Sequence, residues 1–188
     1  VRGSQASVWL GERGLAYRLH PTSGVDSPPG GWVVALDLVG ATPRVPVGED
    51  LLPTKVSYFK GPRDQWRTGL PSYGSVVYRE PWPGVDLVVG GTAGELESTF
   101  VVQPGADPGL IRLAYRGASS VRLEPDGSLI IDTPLGSITE LAPFAYQEGD
   151  GRRVEVAAVF ELEPGAQPAG QAYRFRLVGH DPSRERVI

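Results

Sequence analysis

Short stretches of alternating apolar and polar residues, bounded by Gly, Pro and Asp, recur every eight to twelve residues along the chain, the pattern of an antiparallel sandwich or barrel. The clearest case is Arg153–Glu163, where Val154, Val156, Ala158, Phe160 and Leu162 fall on one face and Arg153, Glu155, Glu161 and Glu163 mostly on the other. A period of two fits a half-buried strand. Tyr173, Phe175 and Leu177 alternate with Arg174 and Arg176 in the same way, as do Ile111, Leu113 and Tyr115 with Arg112 and Arg116.

Turn chemistry places the hairpins. Pro125-Asp126-Gly127 presets φ at its first corner and permits a positive φ at the glycine, so Val121–Leu123 pairs with Leu129–Asp132. Thr133–Gly136 returns the chain to Ser137–Leu141, and Gly11–Gly14 joins Ser7–Leu10 to Leu15–Leu19. Further strands are expected at Trp32–Val39, Val56–Phe59, Ser75–Tyr78, Val85–Val89, Leu96–Val102 and Phe144–Glu148, which makes about fourteen short strands in all. Helix is confined to one turn near Asp107–Leu110, capped by Asp107 with Pro108 at the first helical position. Pro21–Gly31 and Ala41–Pro53 read as loops, and Gly90–Gly94 as a hairpin turn.

The predicted architecture is all-β and antiparallel, in two β-sandwich-like lobes, with one large two-sheet sandwich as the alternative. Composition puts the lobe boundary in Gln103–Pro108, dividing the chain into an N-terminal β lobe over 1–103 and a C-terminal β-sandwich lobe over 104–188. The turn Pro104–Gly109 is echoed at Pro164–Ala169, a faint internal repeat.

Composition narrows the chemistry. Its 25 glycines and 18 prolines among 188 residues exclude a helical bundle, and 40% hydrophobic residues with a net charge of −4 are enough for a core. No apolar run is long enough to span a membrane. Interleaved Arg and acid at a pI of about 5.2 argue against nucleic acid as a partner. Cysteine is absent, so there is no disulfide, thiolate metal site or thiol nucleophile. With neither Met nor Asn, the chain beginning at Val1 reads as a processed piece, from a hot habitat or an Arg-rich, GC-rich genome. His20 and His180 are too far apart in sequence to mark a metal site, and no Gly-x-Ser-x-Gly elbow supports a nucleophilic serine. No cofactor is expected.

Unusual side chains concentrate in Gln65–Phe100, which holds Trp66, Arg67, Tyr73, Tyr78, Trp82, Asp86 and Glu97. Asp86 and Glu97 on neighbouring strands form the one carboxylate pair that glycoside hydrolysis could use, beside aromatic rings able to carry a sugar. The alternative is a structural network or partner contact, with Asp86 held by Arg67 or by backbone N–H groups at a bulge, and the aromatic rings packed in the core or between lobes.

The ordered series Val56–Phe59, Trp66–Thr68, Pro71–Tyr73, Val77-Tyr78, Pro83–Val88, Leu96-Glu97, Phe100–Val102 and Pro104–Pro108, continued by Asp126-Gly127, Ala142-Pro143, Tyr146-Gln147, Asp150-Gly151 and Asp181–Arg184, resembles a known domain. It is the N-terminal domain found ahead of the β-propeller repeats in secreted bacterial proteins of the SBBP type. The resemblance covers nearly the whole chain. It departs at Ser57, where Asn is usual, and at Ser98-Thr99, where Tyr-Asp is usual; the lost Asp weakens any metal or catalytic role around Glu97. The resemblance implies an exported, all-β accessory module without established activity, extracellular or at the cell surface, ending near where a propeller would begin. Its partners would be protein, either neighbouring repeats or other copies, with carbohydrate contact as a lesser expectation. The expected function is a non-catalytic structural or adhesive role. The alternatives are a fibre subunit joined by strand addition through Ser7–Leu10 or Val187-Ile188, and a glycosidase using Asp86 and Glu97.

Overall fold

A computed structural model describes residues 6–21, 31–91, 95–149, 152–164 and 171–188. The expected loop at Pro21–Gly31, most of the Gly90–Gly94 turn and the repeated turn at Pro164–Ala169 lie largely outside the described residues. Fifteen strands are described: β1 (Ala6–Gly11), β2 (Gly14–Leu19), β3 (Trp32–Val39), β4 (Val47–Tyr58), β5 (Arg67–Trp82), β6 (Val85–Gly90), β7 (Glu97–Val102), β8 (Arg112–Arg116), β9 (Ser120–Leu123), β10 (Leu129–Thr133), β11 (Gly136–Glu140), β12 (Ala145–Gly149), β13 (Arg152–Leu162), β14 (Gln171–Val178) and β15 (Arg186–Val187). The expected helical turn is a 3-10 turn at Pro108–Leu110, with Asp107 accepting from the Gly109 N–H, but it is not alone: an unanticipated second 3-10 turn spans Arg63–Gln65.

Twelve strands form one hydrogen-bonded sheet in the order β1-β2-β3-β8-β14-β13-β12-β15-β7-β6-β5-β4. It folds over at β13, whose first half (Arg152–Val156) pairs with β12 and whose second half (Ala157–Leu162) pairs with β14. A strand that switches sheets at a corner gives a sandwich-like body with two layers. Across the interior, Phe100 meets Phe175 with ring centroids 5.3 Å apart, and the Trp82 indole N–H donates to the Val39 carbonyl at 3.0 Å.

The two lengths of chain assigned to separate lobes share this sheet. β3 pairs with β8 and β15 with β7, so two ladders join residues on either side of 103/104, and a single apolar cluster contains Val34, Leu87, Phe100, Leu113, Phe160 and Phe175. The composition break at Gln103–Pro108 is a surface crossover between layers, where Pro and Gly turn the chain without interrupting the core. Arg186, 1% exposed, fastens the crossover by donating from Nη2 to the carbonyls of Gln103 and Ala106 at 3.1 and 2.8 Å. Burial lowers its guanidinium pKa, against the attraction of Asp107 and Asp181.

β9, β10 and β11 form a second, three-stranded sheet whose Leu129 and Ile131 are fully buried in the common core. Its last residue, Glu140, places its carboxylate between two tyrosines of the large sheet: the Tyr173 hydroxyl donates to Oε2 at 2.8 Å, and the Tyr115 hydroxyl donates to Oε1. Burial first, and then the Glu140 charge, raises the hydroxyl pKa of Tyr17, Tyr115 and Tyr173, so these rings stay neutral.

The largest departure from the sequence pattern lies between positions 41 and 82. Val47–Pro53, expected to be loop, is the first half of a twelve-residue strand, and the strand expected at Ser75–Tyr78 is the inner end of a sixteen-residue one. β4 and β5 run through Pro53, Gly69 and Pro71, and β6 pairs only with the part of β5 from Val76 inward, so beyond Ser75 the two strands have just each other. Proline is tolerated on such edges, where one side of each strand needs no ladder donor.

Candidate functional site

The unpaired outer length of β4 and β5 is an arm. None of residues 50–74 is buried, and the arm carries large apolar side chains in water: Leu51 is 70% exposed and Phe59 62%, with Leu52, Val56, Tyr58 and Tyr73 also exposed. An isolated two-stranded ribbon is marginal in water, and this one is held by local contacts. The Ser72 hydroxyl donates to the Thr54 carbonyl at 2.5 Å, Ser75 to Asp50 Oδ2 at 2.9 Å, and the Gly69 N–H to Ser57 Oγ at 3.1 Å. Gly48 lets the Tyr73 ring lie against the backbone, since a Cβ there would stand 2.5 Å from the ring. At the tip, Phe59 and Trp66 pack edge to face at 5.1 Å, Arg63 lies 5.4 Å over the Trp66 ring, and the indole N–H donates to the Gly61 carbonyl at 3.2 Å.

At the base of the arm, Arg79 bridges Glu49 and Asp86, reaching Asp86 Oδ2 at 2.7 Å. Asp86 Oδ1 accepts from the Glu80 N–H at 2.8 Å, where the β5–β6 register shifts and Glu80 takes φ +46°. The carboxylate thereby stabilises a bulge that a non-glycine residue would otherwise hold at a cost. Of the two partners anticipated for Asp86, the bulge N–H is present, but the cation is Arg79; Arg67 lies out on the arm and donates to the Trp66 carbonyl.

The aromatic residues singled out in the sequence therefore separate into two groups. Tyr78 and Trp82 lie in the core and tie the layers together: the Tyr78 hydroxyl, its pKa pushed up to about 12 by burial, donates to the carbonyls of Gly11 and Gly14 at 3.0 and 3.3 Å. Trp66 and Tyr73, expected to pack in the core or between lobes, instead stand on the arm, as does Arg67, expected beside Asp86. Tyr73 shares its strand with the buried Tyr78 and Trp82, but at its position β5 pairs with β4 alone, and the missing neighbour on the far side leaves the ring in water.

Asp86 and Glu97 face the same outer surface of the sheet without meeting. Glu97 pairs with Gly90, four residues along β6 from Asp86, which puts their α-carbons roughly 14 Å apart at strand and ladder spacing. What ties Asp86 to the framework is its own bonding: both of its carboxylate oxygens are engaged, one by Arg79 and one by the Glu80 N–H. Two surface hollows of about 300 and 230 Å³ open elsewhere, the first beside Glu12, Asp37 and Arg116, the second beside Glu161, Phe175 and His180; neither is lined by Asp86, Glu97 or the tyrosines around Glu140. Among the described residues no group of three or more His, Cys, Asp or Glu could hold a metal ion, and no helix is long and apolar enough to cross a membrane. His20 is close to Ser7, with Nε2 at 2.9 Å from its hydroxyl.

Two features went unread in the sequence. Both lysines of this Arg-rich chain, Lys55 and Lys60, fall on the arm, a clustering visible in the sequence. The Glu140 carboxylate was also signalled, by inward-facing Tyr115 and Tyr173, whose hydroxyls require an acceptor once buried.

An all-β, sandwich-like body with one apolar arm is thus the class of protein that the fold and surface define. The chain belongs to the DUF7948 family, a domain of unknown function, whose family model matches residues 1–188. No curated protein matches the chain, and no solved structure matches it.

The arm supplies nothing to the core, so replacing residues 50–74 with Asn-Gly, a two-residue hairpin turn linking Glu49 to Ser75, is expected to move the thermal midpoint by less than about 4 °C. Calorimetry on the two proteins checks this; a fall of 10 °C would make the arm part of the fold.

Proposed function

We propose that this domain is a non-catalytic structural module, working outside the cell or at its surface, that makes protein contacts within a larger assembly through the β4–β5 arm. The observation that carries the reading is the arm itself: a ribbon with Leu51, Leu52, Val56, Tyr58, Phe59 and Tyr73 in water, stiffened by its own hydrogen bonds and ring packing, and unnecessary to the core. Exposed large apolar side chains gathered on one ribbon of a folded domain mark an interaction site. The resemblance to an exported accessory domain supports the location, and the engagement of both Asp86 carboxylate oxygens by Arg79 and the Glu80 N–H supports a structural role for that residue. Incubation with a panel of polysaccharides, peptides and esters should give no turnover. Reproducible turnover that disappears in Asp86→Asn or Glu97→Gln would replace this reading with the enzymatic one.

A further inference from the structure

We infer that the arm's partner is the outer sheet face of a second copy of this chain, over strands β13, β12, β15 and β7. The inference rests on the proposed role of the arm and names what the arm contacts. The distal arm, residues 54–68, carries Lys55, Lys60, Arg63 and Arg67 against the single acid Asp64; this gives it +3 in a chain of −4 overall, leaving −7 on everything else. None of these four cations makes an ion pair among the described residues, and neither do Arg13, Arg44, Arg152 and Arg186 in the body, but four cations without an ion pair within fifteen residues is a concentration found nowhere else among the described residues.

The complementary surface is legible from the ladder register. Glu155, Tyr146, Val187, Val101 and Asp86 lie side by side across five adjacent strands. Their inward neighbours Val156, Ala145, Arg186, Val102 and Val85 are buried, so this row faces out. Phe144, 62% exposed, extends the apolar strip with its ring 6.1 Å from that of Tyr146, and the Arg153 guanidinium, paired with Glu148, lies 4.5 Å over the Tyr146 ring. Glu97 on β7, Glu155 on β13 and Glu185, two residues before Val187, border the strip, and none of the three forms an ion pair among the described residues. A cationic, aromatic ribbon and an acidic, apolar-striped face on one molecule are complementary between copies.

Contact through the face of the arm fits the structure better than strand addition at its edge. The edge of β4 holds Pro53, Asp50 at φ +56° and two register shifts, features that blunt an edge against a new strand. The C-terminal residues Val187-Ile188, one of the two strands considered for strand addition, already sit within the sheet: Ile188 exchanges both backbone hydrogen bonds with Phe100 at 3.0 and 2.9 Å. β1, which contains Ser7–Leu10, is an edge strand. Arm and face are different surfaces, so association is either a reciprocal pair exchanging arms or a head-to-tail series.

Light scattering of the intact chain over a concentration series reads the association directly. The mass per particle should rise with concentration at about 0.05 M salt and fall back at about 0.5 M, since the contact is between charges near the surface. Lys55→Glu with Lys60→Glu in one protein, and Glu155→Lys with Glu185→Lys in another, should each weaken self-association at least tenfold at unchanged thermal midpoint. Mixing the two proteins should restore a complex, because each then carries what the other lacks. A chain that stays monomeric at every concentration and salt, or charge variants that associate like the parent, would overturn the inference. So would an arm-dependent binding to phosphatidylserine vesicles or to a sulfated polysaccharide by a protein that remains monomeric.

Discussion

Replacing Glu140 with alanine should cost on the order of 3 kcal/mol of stability, whereas replacing it with glutamine should leave the protein at least as stable at neutral pH and remove a pH dependence that the parent shows. Alanine leaves the Tyr115 and Tyr173 hydroxyls buried without their acceptor, at about 1–3 kcal/mol for each unsatisfied group, and unfastens the three-stranded sheet from the large one. Glutamine keeps a carbonyl oxygen for one hydroxyl and offers an amide N–H to the other. The pH dependence follows from burial, which raises the carboxyl above its ordinary value of 4.5 although the two tyrosine hydrogen bonds pull it down. A group whose pKa is higher in the folded chain than in the unfolded one stabilises the fold fully below the unfolded value, and that contribution is lost as pH rises through the folded value. The parent should therefore lose stability relative to Glu140→Gln as pH climbs above about 4.5, with a constant difference below it. Denaturant titrations at a series of pH values check this, and parallel curves for the two proteins would show that the carboxyl is not held in a dry site.

Trp82→Ala should lower stability by about 3–5 kcal/mol, as deletion of a buried aromatic side chain does, or roughly 10 °C in thermal midpoint for a domain of this size. Trp82 is 2% exposed, packs 6.2 Å from Phe100 and carries the indole hydrogen bond to Val39 that joins the layers. Trp66→Ala removes the same side chain from the arm tip, where it touches only Phe59, Arg63 and the Gly61 carbonyl among the contacts described above. It should change global stability by less than about 0.5 kcal/mol, the scale of a surface substitution. The two variants side by side in a thermal scan test the division of the molecule into body and arm. Similar losses for both would place the arm tip within the cooperative unit.

The strands that the sequence pattern located well are those whose alternation and boundaries agree. Ser120–Leu123, Leu129–Thr133 and Gly136–Glu140 follow directly from Pro125–Gly127 and Thr133–Gly136, because a turn's φ requirements and a strand's period are both local properties. The partner of each strand is not local. Nothing in β13 announces that it changes sheets halfway along, and Val154 shows the consequence: it shares the inward face of Val156 and Phe160, yet is 57% exposed. Asp86 was recognisable as a residue requiring a partner, but the choice of Arg79 over Arg67 depends on the bulge that brings Glu80 and Arg79 to it.

Alternation, turn residues and the high glycine and proline content were enough to establish an antiparallel all-β chain and most of its strand positions, since these depend on steric and hydrogen-bonding preferences spanning a few residues. The joining of both halves in one sheet, the union of Glu140 with two tyrosines from distant strands, and the exposure of Trp66 and Tyr73 beside a buried Trp82 were settled only when the strands assembled. Burial depends on which neighbours stand on each side of a strand, and those neighbours come from elsewhere in the chain.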